Sequence, residues 1–137
     1  MKKKYLIASH GNLAAGMQSS LDILADRGKE FEIINAYVTD EDYTPKVTSF
    51  VESVTYEEQA IIFTDLLGGS VNQKIVIETL TSKKDNISII SNANLAIILS
   101  ILFSGEEYLT EETIHNIINE SQVTLVSTKL DEDDSIF

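Results

Sequence analysis

Cysteine is absent from this chain of 137 residues, and proline occurs only once. Without cysteine there can be no disulfide framework, no thiolate nucleophile and no zinc site with sulfur ligands. The chain also lacks internal repeats and Pro/Gly/Ser-rich linkers, while 43% of its residues are hydrophobic, which is ample for a core. We therefore expect one domain over residues 1–130, followed by an acidic C-terminal tail over residues 131–137.

Positive charge is scarce: the chain has 10 Lys and Arg residues against 22 Asp and Glu residues, and its formal net charge is −12. Nucleic-acid binding requires a cationic surface, so this balance argues against it. The only basic cluster, Lys2–Lys4, precedes the apolar run Tyr5–Ala8, which is too short for a signal peptide. We therefore expect a cytoplasmic protein in which these lysines form a solvated flank before the first strand.

Long hydrophobic runs are also missing. The longest apolar-rich stretch, Leu95–Phe103, falls far short of the roughly 18 residues that a bilayer-spanning helix needs. A buried helix is the better interpretation of this stretch.

Short apolar runs alternate with helical patterns along the chain. This alternation is typical of βαβ units and predicts an α/β fold with an open, mostly parallel sheet and helices on both faces. The spacing of Leu13, Met17, Leu21 and Leu24 predicts an apolar face on the first helix. Four parallel strands and a short C-terminal strand are expected at residues 5–8, 31–38, 60–65, 87–90 and 123–127.

Polar residues directly follow two of these strands. The first strand ends in the sequence ASHG, which contains His10, and the third ends in TDLLGGS, which contains Asp65, Gly68, Gly69 and Ser70. Binding sites in open parallel sheets form beyond the carboxyl ends of the strands. If the first and third strands are neighbours, both segments line one crevice.

The residue types in this crevice suit phosphoryl chemistry. A neutral histidine nitrogen is a nucleophile, and a carboxylate on the other ring nitrogen fixes the tautomer and stabilises positive charge. Asp65 is the candidate for that carboxylate. Gly68 and Gly69 let the backbone approach closely, and Ser70 opens a helix whose N–H groups can bind an anion. The sequence thus predicts a phosphoryl group on the imidazole of His10.

Each of these residues also has a purely structural interpretation. His10 and Asp65 can be ordinary polar residues of loops, and the glycines can serve only a tight turn. Ser70 alone is a plain N-cap, and together with Gln73 it matches the S-x-x-Q capping box. Only their combination at two strand ends favours a site. His115 is expected at the surface of a late helix, and the chain contains neither metal-ligand spacing nor a P-loop, so we expect no metal and no cofactor.

Three segments of the chain resemble the EIIA domains of the mannose-class phosphoenolpyruvate-dependent sugar phosphotransferase system. They are SHG at the end of strand one, FTDLLGGSVNQ at the end of strand three and SNANLAIIL after strand four. The resemblance extends over most of the chain in order and spacing. Its one departure is Ala96, which stands in the sequence NLA where family members often have NLP.

The resemblance implies a phosphotransferase component and its partners. It places the phosphoacceptor at His10, its carboxylate partner at Asp65 and the phosphate-contacting serine at Ser70, in a loop that includes Gly68 and Gly69. It implies phosphoryl transfer from the phosphocarrier HPr to the histidine and onward to a cognate EIIB for sugar uptake. Membrane contact would at most be indirect, through an EIIC/EIID permease. The resemblance also implies a homodimer that exchanges its last strand. Because no linker to an EIIB domain follows, we expect a free-standing EIIA.

The sequence leaves other functions to be weighed. An EIIA-like subunit of a dihydroxyacetone kinase shares the fold and the strand-one histidine, although the DLLGGS loop favours the mannose class. A regulatory module, whose phosphohistidine is read by a partner, is not separated from a transport component by sequence. A histidine phosphatase needs several arginines around the phosphate, whereas this chain has only Arg27 and carries Ser9 where that motif has arginine.

Overall fold

The computed structural model describes residues 1–105 and 107–130, and the acidic tail expected at 131–137 lies outside them. Its strands are β1 (Lys2–His10), β2 (Phe31–Ala36), β3 (Glu58–Thr64) and β4 (Ile87–Ile90). Its α-helices are α1 (Leu13–Ala25), α2 (Thr44–Ser53), α3 (Ser70–Ser82), α4 (Leu95–Leu102) and α5 (Glu111–Glu120), and Gly28–Glu30 forms a 3-10 turn. The four strands form one parallel sheet in the order β2-β1-β3-β4.

The predicted α/β fold is confirmed, and helices cover both faces of the sheet. Side chains of a strand point alternately to its two faces. Ile7 and Phe63 therefore lie in the core under α1, α4 and α5, whereas Leu6 and Ile62 lie in the core under α2 and α3. Because both faces are covered, the strands are apolar along most of their length.

β1 is longer than the predicted run because it includes the basic cluster. Lys2 pairs with Glu58 and Lys4 with Ala60 of the neighbouring strand β3. The Lys4 ammonium donates to the Ser53 hydroxyl at 2.5 Å. The lysines therefore belong to β1 and do not precede it, so that part of the expectation is wrong, although Lys2 is exposed and Lys3 and Lys4 are partly exposed.

α1 buries less of its apolar face than the spacing predicts. Leu21 is fully buried, as expected, and so is Ala14. Leu13 and Leu24, by contrast, are 49% and 57% exposed, because only a narrow face of the helix packs on the sheet. The prediction is therefore wrong for both residues, and Leu13 is left at the surface close to the end of β1.

α4 confirms the buried helix predicted in the longest apolar stretch. Ile97, Ile98 and Ile101 are buried, and the Asn94 side chain caps the helix by accepting the Ile97 N–H at 2.8 Å. Ala96 lies in the first turn, where a proline would also be tolerated because no N–H partner is needed there. Among the described residues, no helix has the length and apolar character that a membrane span requires.

Residues 123–127, predicted as a fifth strand, form no strand in this single chain. Val123 and Leu125 are 92% and 98% exposed. A strand needs a neighbour for its backbone N–H and C=O groups, and the described part of the chain places none beside this segment. The fifth strand is therefore not confirmed.

Candidate functional site

The carboxyl ends of β1 and β3 lie side by side, as a shared crevice requires. The two strands pair in parallel with Ala8 opposite Thr64. His10 at the end of β1 and Asp65 immediately after β3 therefore reach the same edge of the sheet, and the loop after Asp65 leads into α3 at Ser70. The predicted adjacency of the first and third strands is confirmed.

The His10 ring is held at both of its nitrogens. Nδ1 lies 2.7 Å from Asp65 Oδ2, and Nε2 lies 3.2 Å from Ser70 Oγ. An ionised carboxylate can only accept hydrogen bonds, so Nδ1 carries the proton of the neutral ring and Nε2 keeps its lone pair. The arrangement presents Nε2 as the nucleophilic atom.

Hydrogen bonds keep the carboxyl of Asp65 ionised. The side chain is 8% exposed, and this burial by itself raises its pKa. The carboxylate accepts hydrogen bonds from the backbone and ring N–H groups of His10 and from the backbone N–H of Leu66. Together these bonds outweigh the effect of burial and hold the pKa of Asp65 below its usual value. A carboxylate at this position stabilises positive charge on the imidazole.

Gly68 and Gly69 are each required in the loop before α3 for a different structural reason. Gly68 has φ +78°, a backbone conformation that residues with a side chain rarely adopt. At Gly69 a Cβ atom would lie 3.2 Å from the carbonyl oxygen of Leu66 and 3.6 Å from Cε1 of His10. The absence of a side chain at Gly69 therefore lets the loop backbone pass close to the imidazole.

The capping box predicted at Ser70 and Gln73 is wrong. Gly69 is the N-cap residue of α3, and the Gln73 side-chain amide donates to a loop carbonyl. Ser70 is the first helical residue, and its hydroxyl faces Nε2 of His10. A helix N-terminus carries unpaired N–H groups and partial positive charge, so α3 begins at the imidazole with an end that favours anions.

Tyr37 belongs to the site and is not among the residues predicted from the sequence. Its hydroxyl oxygen lies 2.8 Å from Ser70 Oγ, and its ring centroid lies 5.3 Å from that of His10. No sequence pattern marks it, because its position follows from the pairing of β1 with β2, in which His10 lies opposite Ala36. The first residue after β2 is thereby placed beside the histidine.

The SNAN segment after β4, residues 91–94, stabilises the β3–α3 loop through hydrogen bonds. The Asn92 side-chain oxygen accepts the Leu67 N–H at 2.8 Å, which ties the β3–α3 loop to this segment. The Thr64 hydroxyl at the end of β3 lies 2.8 Å from the Ser91 hydroxyl. This motif therefore fixes the loop and makes no direct contact with the histidine in the hydrogen bonds of the described residues.

The site is open to the surface. The His10 side chain is 41% exposed, and the nearby Leu13, Leu66 and Leu67 expose much of their apolar surface. A cavity of about 610 Å³ lies at the other end of the sheet, around Lys2 and neighbouring charged residues. The His10 imidazole is therefore accessible at the surface and does not lie inside a pocket.

Within residues 1–105 and 107–130, no three His, Asp or Glu side chains come together as a potential metal site. His115 is exposed on α5, as its sequence pattern predicts.

The comparisons with known proteins agree with this fold and its topology. The family model EIIA-man, described as the PTS system fructose IIA component, matches residues 4–118. A Klebsiella pneumoniae protein assigned as a phosphoenolpyruvate-dependent sugar phosphotransferase system permease has 29% identity and a TM-score of 0.76, over 87% of this chain and 85% of that one. The comparison with curated proteins finds no match.

Two further solved structures share the fold at lower identity. The PTS IIA protein associated with the fucose utilization operon of Streptococcus pneumoniae is 22% identical, with a TM-score of 0.70 over 88% of this chain and 91% of its own. The mannose/sorbose specific IIA subunit of Enterococcus faecalis is 19% identical, with a TM-score of 0.71 over 96% of this chain and 100% of its own. Because the family model covers most of the chain, this protein belongs to the EIIA-man family, the IIA components of the sugar phosphotransferase system.

Proposed function

We propose that this chain is a phosphohistidine carrier that accepts a phosphoryl group from HPr on Nε2 of His10 and passes it to a cognate EIIB. The observation that carries the proposal is the position of the imidazole between Asp65 and Ser70. Nδ1 is engaged by the carboxylate, while Nε2 faces a hydroxyl and the first turn of α3. Membership of the family supports HPr and EIIB as donor and acceptor.

The transfer step follows from this geometry. The Nε2 lone pair attacks phosphorus, the bond between phosphorus and the donor atom breaks, and its electron pair leaves with the donor. The ring becomes positively charged, and the Asp65 carboxylate stabilises that charge through Nδ1–H. The Ser70 hydroxyl and the backbone of the loop with Gly68 and Gly69 bind the phosphoryl oxygens, and transfer to EIIB reverses the same steps.

The exposure of the site favours protein partners over a small-molecule phosphoryl donor. A protein can deliver a phosphoryl group only to an acceptor atom at the surface, and His10 is accessible there. Leu66 and Leu67 flank it with exposed apolar side chains, which are typical of a protein contact surface. In this scheme the carrier works in the cytoplasm and reaches the membrane only through an EIIC/EIID permease.

A homodimer with exchanged C-terminal strands is the second part of the proposal. Within the described residues β4 pairs only with β3, so its outer edge there offers unpaired backbone groups. Beside that edge, Leu80 of α3 and Ile89 of β4 line a groove of about 350 Å³. Residues 123–127 of a second copy can pair with this edge and bury the exposed Val123 and Leu125 in the groove. Reciprocal exchange satisfies two-fold symmetry.

The proposal is tested by phosphorylating the full chain with enzyme I, HPr and phosphoenolpyruvate and mapping the modified residue. We expect label on His10, no label in His10→Ala, and normal labelling of His115→Ala, which removes the exposed histidine of α5. Label that survives in His10→Ala, or label on Ser70, would refute the assignment. Discharge by EIIB, and not by a dihydroxyacetone kinase subunit, identifies the acceptor.

A further inference from the structure

We propose that Tyr37 is a positioning residue that aims the Ser70 hydroxyl at the phosphoryl site on His10. The inference rests on the proposed function, because the Ser70 hydroxyl is proposed to bind the phosphoryl group on Nε2. Tyr37 acts through Ser70 and does not exchange a covalent bond with the phosphoryl group.

The number of available protons determines which group donates in each of the hydrogen bonds that link Asp65, His10, Ser70 and Tyr37. Nδ1–H of His10 donates to Asp65, so Nε2 of the neutral ring is an acceptor and the Ser70 hydroxyl must donate to it. Ser70 has a single hydroxyl proton, which this bond uses. The contact of 2.8 Å between the Tyr37 and Ser70 hydroxyls therefore requires the tyrosine to be the donor.

The hydrogen bond from Tyr37 removes the rotational freedom of the serine. A serine hydroxyl turns freely unless its oxygen is held by a donor, and the Tyr37 hydroxyl holds that oxygen at 2.8 Å. Linked hydrogen bonds polarise one another, so Ser70 donates more strongly than it would alone. When the phosphoryl group is on Nε2, the same proton can bond to a phosphoryl oxygen while the tyrosine keeps its place.

The backbone of Tyr37 gives an independent reason to assign it a role. Its φ is +68°, in the left-handed region that favours glycine and strains a residue with a bulky side chain. A structural turn alone would be made more easily by glycine or asparagine. Packing holds the ring in this conformation, since the Tyr43 ring meets it edge-on at a centroid distance of 5.6 Å.

The test compares Tyr37→Phe with wild type in phosphoryl transfer from HPr. The substitution keeps the ring and removes the hydroxyl, and we expect transfer to slow about 3- to 10-fold, the size of one lost neutral hydrogen bond. Tyr56→Phe removes an exposed tyrosine hydroxyl elsewhere and should transfer at the wild-type rate. In a Ser70→Ala background, Tyr37→Phe should cause no further loss, which a merely structural role would not produce.

Three outcomes would overturn the inference: a wild-type rate for Tyr37→Phe, independent losses in the double variant, or a wild-type rate for Ser70→Ala. Tyr37→Gly serves as a second variant, because it keeps the backbone conformation and must also slow transfer. The ¹⁵N resonance of Nε2 in unphosphorylated protein provides a readout that needs no phosphoryl donor. It should move in Tyr37→Phe and not in Tyr56→Phe, so failure of this inference is distinguishable from failure of His10 to be phosphorylated.

Discussion

A single carboxylate oxygen of Asp65 accepts two hydrogen bonds from His10, one from its backbone N–H at 2.8 Å and one from Nδ1–H at 2.7 Å. The two bonds fix the end of β1 and the plane of the imidazole together. The ring therefore cannot turn Nε2 away from α3 without losing a charge-assisted hydrogen bond. Because β1 and β3 pair, Asp65 lies beside His10, and its two hydrogen bonds then fix the direction in which Nε2 points.

Asp65→Asn should slow phosphoryl transfer far more than it destabilises the fold. The amide is close to isosteric with the carboxylate but lacks the charge that stabilises the reacting ring. We expect a loss of about 2–4 kcal/mol of transition-state stabilisation, roughly 30- to 1,000-fold in rate. Rapid-quench kinetics of transfer to and from HPr measure it. Asp85→Asn, at an exposed position, is the matched control, and wild-type kinetics for Asp65→Asn would contradict the assigned role.

Phospho-His10 should persist in buffer and discharge rapidly only when EIIB is added. Hydrolysis requires a base within hydrogen-bond reach of an attacking water, and Asp65 is already engaged by the imidazole. The group next to Nε2 is the Ser70 hydroxyl, which in turn contacts the Tyr37 hydroxyl, and both hydroxyls are weak bases. Loss of label from purified phosphoprotein, with and without EIIB, measures the difference. Fast release of inorganic phosphate that EIIB does not accelerate would favour a phosphatase.

Removing the residues after Ser121 should abolish the proposed homodimer. The truncation deletes the exposed Val123 and Leu125 and leaves the edge of β4 uncovered, so we expect monomers or aggregates. Light scattering at micromolar concentration measures the mass, and a chain that ends at residue 130 is the control that should stay dimeric. A wild-type monomer under the same conditions would exclude strand exchange.

Gly68→Ala should lower the free energy of unfolding by about 1–2 kcal/mol, because a Cβ atom is strained at φ +78° although no neighbour crowds it. Gly16→Ala is the matched control: it lies inside α1 with open space around its Cα, and alanine there should stabilise the fold by about 0.5–1 kcal/mol. Urea denaturation measures both changes. Equal effects of the two substitutions would show that the loop conformation does not need glycine.

The sequence determined the element order, the parallel sheet and the strand ends that carry the site. Short apolar runs alternating with helical patterns leave few topologies, because right-handed crossovers and two covered faces follow from chain chirality and burial. His10, Asp65 and Ser70 could be chosen since residues that directly follow neighbouring parallel strands must meet at one edge.

The tertiary structure decided what each polar group bonds to. Ser70 and Gln73 match a capping box locally, yet the Ser70 hydroxyl turns to His10 because the neighbouring strand brings an acceptor within reach. Tyr37 enters the site through strand pairing and a left-handed backbone, neither of which leaves a periodic pattern. Residues 123–127 have no neighbouring strand within the described part of one chain, and a strand is defined by the neighbour with which it shares hydrogen bonds. The sequence pattern of this segment is therefore not enough to make it a strand.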